Sequence, residues 1–254
     1  METVGVVLAA GKGKRMGNPA LPKVLVPLAG KPLLGYVLDS LQSLSLDRII
    51  VVVGFGREQV IAYVNEYYRG IEIAVQTQQR GTAHAVLQVA PLLDEWNGTL
   101  LIANGDVPMV RSQTVREFLD HHHRSDAALS VLSTIVPDPQ GYGRILRASD
   151  GTFEAIVEDA DLLPQQRSIT EINTGTYAAT SKVLLDALTS VTASNAQGEY
   201  YLTDAVSVLR ERGHRVDAWM HPEWQQFCGV NTPDQLRQLE HYYFLSKQIP
   251  VQSE

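Results

Sequence analysis

The sequence predicts an α/β fold, a mostly parallel sheet flanked by helices. Two observations predict it. Apolar runs of strand length alternate along the chain with segments whose apolar residues recur at helical spacing. The first apolar run, residues 4–9, breaks at once into the glycine-rich, basic stretch Gly11-Lys12-Gly13-Lys14-Arg15. That break falls at the carboxyl end of a strand, where open α/β sheets place their ligands.

The elements follow in order. Residues 4–9 are the first strand. Residues 32–46 carry Leu33, Leu34, Val37, Leu38, Leu41 and Leu44 at helical spacing. The β-branched run 48–53 is the second strand and stops at Gly54. A helix over 58–68 leads to a third strand over 71–76. Thr82 caps a helix running through Ala83, Val86, Leu87 and Ala90. The short apolar strand 99–103 ends at Asn104-Gly105-Asp106, which brings Asp106 to the same edge of the sheet as the first loop.

The second half is less regular. Residues 127–136 alternate as a strand, 137–143 are a loop, 144–146 and 153–157 are short strands, and 161–168 are a polar excursion. Residues 172–178 form a strand entered through Asn173-Thr174-Gly175. Residues 182–188 and 203–212 are helical, the latter ending at Gly213, and 216–220 form a further strand. Thr232-Pro233-Asp234-Gln235 opens the last helix, with Pro at the first helical position and Gln at the capping-box position. No internal repeat or low-complexity linker divides the chain, so residues 1–254 read as one domain.

Composition narrows the class. At 254 residues, with 44% hydrophobic and 19% charged content, the chain has the make-up of a globular enzyme. A net charge of −7 argues against a nucleic-acid partner, although local basic loops still set the field at a site. Cys228 is the only cysteine, which excludes an intramolecular disulfide. No apolar stretch approaches the roughly 18 residues of a membrane span, and no signal sequence precedes the first strand, so a cytoplasmic protein is expected.

The first loop has the chemistry of a polyphosphate cradle, because glycines bring backbone N–H groups close to oxygens while Lys and Arg supply charge. It is neither of two common phosphate loops. A Walker A loop ends in Gly-Lys-Ser/Thr, which follows neither Gly13 nor Gly17, and a dinucleotide fingerprint needs Gly or Ala where Met16 stands.

The string G-x-G-x-R-M over residues 11–16, with Pro22-Lys23 behind it, resembles the signature of sugar-nucleotide pyrophosphorylases. Within them the chain most resembles the uridyltransferase domain of N-acetylglucosamine-1-phosphate uridyltransferases, from residue 4 to about residue 240. The resemblance implies a Rossmann-like three-layer nucleotidyltransferase fold with a mixed, mostly parallel sheet. It divides the chain into a nucleotide-binding lobe over about 1–110, a sugar-phosphate lobe over about 111–231 and a C-terminal helix over about 232–248.

It also implies roles for particular residues. Leu8, Ala9, Ala10, Gly11 and Gly13 line the nucleotide, with Arg15 facing the leaving pyrophosphate and Lys23 the transferred phosphoryl region. Asp106, ending a buried strand, suits Mg2+, which takes oxygen ligands and keeps waters, so one carboxylate plus nucleotide phosphates can hold it. The resemblance adds Asn231 as a second ligand. Gln76, Gln79, Gly81 and Thr82 match a Q-x-x-Q-x-G-T motif that reads uracil, and a Gln that donates and accepts at once suits an imide edge. Gly143, Glu158, Asn173, Tyr201 and Thr203 match positions that touch the acceptor sugar phosphate. The string Asn195-Ala196-Gln197-Gly198-Glu199-Tyr200-Tyr201-Leu202-Thr203-Asp204 is the most specific of these matches.

Three positions depart from the family pattern. Asn104 stands where the family has Tyr and also faces the substrate, Val26 stands for His, and Asp159-Ala160-Asp161 replaces a Lys-Asp pair after the Glu. These leave the acceptor sugar open. Family members continue into a β-helix that carries an acetyltransferase, and this sequence stops where that begins, so neither acetyl-CoA chemistry nor its trimer is expected. The reading is a Mg2+-dependent enzyme making a UDP-sugar and pyrophosphate from UTP and a sugar 1-phosphate, with N-acetylglucosamine 1-phosphate favoured. A monomer or weak dimer without nucleic-acid or membrane partners is expected. The alternatives are another base or hexose 1-phosphate, and a non-catalytic nucleotide-sugar sensor.

Overall fold

In the computed structural model, which describes residues 2–13, 16 and 20–248, the strands are β1 (Thr3–Ala9), β2 (Pro27–Leu28), β3 (Lys31–Pro32), β4 (Arg48–Val53), β5 (Ile71–Val75), β6 (Thr99–Asn104), β7 (Leu129–Ile135), β8 (Arg144–Arg147), β9 (Phe153–Val157), β10 (Glu171–Thr180) and β11 (Val216–Met220). The helices are α1 (Leu33–Gln42), α2 (Arg57–Tyr67), α3 (Thr82–Leu87), α4 (Ser112–Ser125), α5 (Ser181–Leu188), α6 (Ala205–Glu211) and α7 (Pro233–Gln248).

One mixed sheet runs through the described residues in the order β11-β7-β10-β6-β1-β4-β5, with β8 and β9 attached beside β10. Strands β6, β1, β4 and β5 are mutually parallel, as are β7 and β11. Strand β10 alone lies antiparallel between β6 and β7. The sheet is thus mixed and mostly parallel, as the sequence predicts.

The period-two alternation of a strand sorts its apolar side chains onto two faces. Val4 and Val6 of β1, Ile50 and Val52 of β4, and Leu100 and Ile102 of β6 pack with α3, α5 and α6. Val7 and Ala9, Val51 and Val53, and Leu101 pack with α1, α2 and α4 on the other face. Three layers result, and both faces of the central strands are covered, which is why those strands read as continuous apolar runs. A smaller cluster joins Val26, Leu28 and Leu33 to Val230 and Leu239, fastening α7 onto the β2–β3 hairpin.

The structure amends the predicted elements in several places. Helix α1 ends at Gln42, short of Leu44, and the β2–β3 hairpin has no counterpart in the sequence reading. Helix α4 has no counterpart in the sequence reading, although Val115, Phe118, Leu119 and His122 are buried at its helical spacing. The polar run His121-His122-His123-Arg124 masks that period. Thr82 does not cap α3. It is the first helical residue after Gly81, and its hydroxyl accepts a hydrogen bond from Leu202 N at 2.9 Å. That helix stops at Leu87, short of Ala90, and a separate 3-10 turn follows over Ala90–Leu92. The helix expected over 203–212 opens as a 3-10 turn over Leu202–Asp204 before α6 begins.

Candidate functional site

The carboxyl ends of β1, β4, β5 and β6 open onto one edge, where four loops meet. Leu8 O at the end of β1 accepts from Gly105 N (3.0 Å) and Ala10 O accepts from Phe55 N (3.1 Å), which draws the β4 and β6 loops against the first loop. Ala9 and Ala10 are buried, while Gly11 is exposed. Gly13 has φ +56°, and a Cβ there would lie 2.7 Å from Lys23 Cβ, so a glycine lets the loop lie on the lysine stem. Lys23 itself opens a 3-10 turn over Lys23–Leu25 that follows Pro22 and buries Val24.

From that turn the Lys23 ammonium forms an ion pair with the Asp106 carboxylate and donates to Asn231 Oδ1 at 2.8 Å. Both charged side chains are 15% exposed. Asn231 is held by the start of α7. Its N–H donates to Gln235 Oε1 (2.7 Å), Thr232 Oγ1 caps Gln235 N (3.2 Å), and Val230 N donates to Asp106 O (3.2 Å). Thr232, not Asn231, therefore caps this helix, which leaves the Asn231 amide free for Lys23.

Three residues assigned to phosphate and metal binding thus meet at one point. A carboxylate oxygen and an amide oxygen turned toward a single cationic centre are the hard donors Mg2+ prefers. Among the described residues no group of three or more His, Cys, Asp or Glu side chains is placed to hold a metal ion. An ion at this point could take phosphate oxygens and water as further ligands. Arg15 lies outside the described residues.

The loop after β5 lies beside this centre. Gln76 is buried, at 3% exposure. Its Nε2 donates to Gly81 O at 3.0 Å and stands 3.0 Å from His84 Nδ1. Gln79 Nε2 donates to Gln76 O (3.0 Å), and a Cβ on Gly54 would lie 2.8 Å from that nitrogen. The sequence reading gave His84 no part in the site. Its spacing on α3 carries no such signal, since the contact depends on how the loop folds back.

Residues 200–202 close against the same loop. Tyr200 N donates to Arg80 O (2.8 Å), Ala83 N to Tyr200 O (2.9 Å) and Leu202 N to Thr82 Oγ1 (2.9 Å). Gly81 has φ +120°, and a Cβ there would sit 2.7 Å from Tyr200 N. The Gln-rich loop and the acceptor string are therefore zipped together through backbone.

The remaining expected residues gather beyond that seam. Thr203 Oγ1 donates to Glu158 Oε1 at 3.0 Å. A Cβ on Gly143 would lie 3.4 Å from Glu158 Oε2. Burial raises the Glu158 pKa, and Asp204, Asp161 and Asp159 add to the rise against the opposing hydrogen bond from Thr203. Asn173 N donates to Gly143 O (2.8 Å), its Oδ1 accepts from Gly175 N (2.9 Å), and its Nδ2 donates to the Tyr177 hydroxyl (2.6 Å). This lies in a β10 bulge, where the register with β7 shifts between Asn173 and Tyr177. Asn104 packs directly on Gly175 of the bulge, where any Cβ would collide with its Nδ2. Tyr201 is buried beside Asp161 and Glu158, and burial followed by those charges raises its phenol pKa. Arg144 pairs with Asp159 at 3.1 Å, and Tyr142 O–H accepts from Gly229 N at 3.3 Å, which ties the 141–144 loop to both neighbours.

The family model of the MobA-like NTP transferase domain matches residues 5–210. The bifunctional protein GlmU of Geobacillus sp. (strain WCH70) is 44% identical over 235 residues, 92% of this chain and 50% of that protein. The GlmU of Bacillus subtilis (strain 168) is 40% identical over 237 residues, 93% of this chain and 51% of that protein. The chain spans about half the length of these curated relatives. Among solved structures, a putative glucose-1-phosphate thymidylyltransferase from Bacillus anthracis superposes with a TM-score of 0.76 at 20% identity, covering 99% of this chain and 98% of that one. A UDP-glucose pyrophosphorylase complexed with UDP-glucose gives 0.74 at 18% identity, covering 97% and 100%. At these identities the two structures share the fold.

Proposed function

The chain belongs to the MobA-like NTP transferase family, and from that premise we propose that it is a Mg2+-dependent uridylyltransferase that joins UTP to N-acetylglucosamine 1-phosphate. In this reaction a phosphate oxygen of the sugar attacks the α-phosphorus of UTP. A new P–O bond forms, the bond from the α-phosphorus to the bridging oxygen breaks, and pyrophosphate leaves. Neither nucleophile nor leaving group needs a proton transferred, so alignment and charge stabilisation suffice.

The observation that carries this reading is the meeting of Lys23, Asp106 and Asn231 at the sheet edge. Asp106 and Asn231 would hold Mg2+, which supplies charge neutralisation at the phosphates. Lys23 holds a positive charge where the phosphoryl region is expected, and the glycine loop lies on its stem. Gln76 and Gln79 bind the base, the backbone zipper orders the acceptor string, and Glu158, Asn173 and Thr203 hold the sugar phosphate. Arg15, outside the described residues, is assigned to the pyrophosphate by the family resemblance alone.

Pyrophosphate release from UTP and N-acetylglucosamine 1-phosphate, with and without Mg2+, tests the reading. Release that requires both the metal and the sugar phosphate is expected. Silence with every sugar 1-phosphate, alongside measurable UDP-sugar binding, would replace catalysis with sensing. Asn104 on Gly175, and Ala160 in place of a lysine, favour a second reading with another hexose 1-phosphate as acceptor. Release with glucose 1-phosphate but not with the acetylated sugar would select it.

A further inference from the structure

The Gln76–His84 contact fixes which way round the glutamine amide lies. Gly81 O can only accept, so the group 3.0 Å from it is the Gln76 NH2. The same nitrogen is 3.0 Å from His84 Nδ1, and its two protons go one to each partner. A ring nitrogen accepts only when it carries no proton. His84 is therefore neutral, with its proton on Nε2. Nε2 lies 3.3 Å from the Gln88 side-chain nitrogen, which donates to His84 O at 2.8 Å, so the shorter contact, at Nδ1, is the one the ring accepts.

The consequence falls on Gln76 Oε1, which accepts no hydrogen bond from any described residue. With both amide protons spent, Gln76 offers the base an acceptor and nothing else. The sequence-based expectation of a glutamine that donates and accepts at once is thereby amended. An acceptor alone suits a pyrimidine with a proton on N3, as uracil has, and repels one with a lone pair there, as cytosine has.

We propose that His84 is a positioning residue for base selection, holding Gln76 so that it accepts the N3 proton of the pyrimidine. This rests on the reading above that Gln76 faces the base. The surroundings keep the ring in the required state. Burial lowers the His84 pKa and the charge of Arg80 lowers it further, against a smaller opposing effect of the Gln78 carbonyl. Gln76, which follows β5, and Gln88, which caps the end of α3, are uncharged, so Arg80 is the charged group acting on the ring. Protonation would place a hydrogen on Nδ1, expel the Gln76 NH2 and favour the flipped amide, so base selection weakens toward acid pH.

The test compares kcat/KM for UTP and CTP in the wild type, Gln76→Ala and His84→Phe, from pH 5 to 8. The His84→Phe variant keeps a ring but offers no acceptor. It should lose about tenfold of the UTP-over-CTP ratio, the worth of one hydrogen bond, through KM for UTP rather than for the sugar phosphate. The wild-type ratio should fall with acid pH while that of His84→Phe stays flat. A wild-type ratio and pH profile in His84→Phe, with the ratio collapsed in Gln76→Ala, would overturn this inference alone. An unchanged ratio in Gln76→Ala would remove Gln76 from the base site and take the inference with it. The ring state is readable without turnover or variants. Long-range 1H–15N correlation on the intact protein at neutral pH should show His84 protonated at Nε2, and protonation at Nδ1 would overturn the proposal even if the variants did not fold.

Discussion

Asp106 and Glu158 are both carboxylates at the site edge, and their surroundings set them to opposite tasks. Asp106 faces the Lys23 ammonium, and its charge is useful. Asp106→Asn keeps the shape and removes the charge, so kcat should fall about a hundredfold or more while KM for the sugar phosphate moves only a few-fold. Steady-state kinetics at saturating Mg2+ decide this, and near-normal turnover would remove Asp106 from the metal. Glu158 is part-buried beside other acids, and its raised pKa makes the ionised form costly in the folded state. Between its unfolded pKa near 4.5 and its higher folded value, the folded chain holds the extra proton, so this contribution weakens as pH rises through that window. Glu158→Gln should therefore raise Tm at pH 7, by on the order of 1 kcal/mol of stability, and the gain should vanish toward pH 4.5. A gain that persists at low pH would mean that the carboxylate is not the cause. At this scale the sequence is a good guide to residues that follow strand ends, because Lys23, Asp106 and Gln76 are placed by local strand-loop geometry. It gives no sign that Gln76 spends both protons on Gly81 and His84, because that depends on a loop folding over a helix.

The elements divide along the same line. The strands 48–53, 153–157 and 216–220 read from the sequence with their observed bounds, because apolar runs bounded by turn residues leave little freedom. Helix α4 did not, since a triple histidine hides an apolar stripe of only three residues, Val115, Phe118 and Leu119. Phe118 is fully buried in that stripe, and Phe118→Ala should cost about 3–5 kcal/mol in denaturant unfolding. A cost under 1 kcal/mol would mean that α4 does not help to close its face of the sheet. The seam between the Gln-rich loop and residues 200–202 was also illegible, because its two sides lie more than a hundred residues apart. Gly81→Ala tests it. A methyl group at φ +120° would be strained and would press on the Tyr200 backbone, so KM should rise about tenfold for UTP and for the sugar phosphate together. A rise confined to one substrate would show that the seam does not couple the two halves of the site.

Across the whole molecule, alternation of strands and helices gives the layers but not the strand order. Nothing local places β10 antiparallel between β6 and β7, or brings α7 back across the β2–β3 hairpin near the start of the chain. That return has a consequence for the order of assembly. Lys23 and Asn231 are 208 residues apart in sequence, and every strand of the sheet precedes Asn231. On a ribosome the sheet can be complete while the residue that Lys23 reaches is still unmade. A nascent chain ending after β11 would hold a finished scaffold and a lysine paired to Asp106 alone. The centre thus matures only after β11 is made, when α7 emerges and swings back to the β2–β3 hairpin.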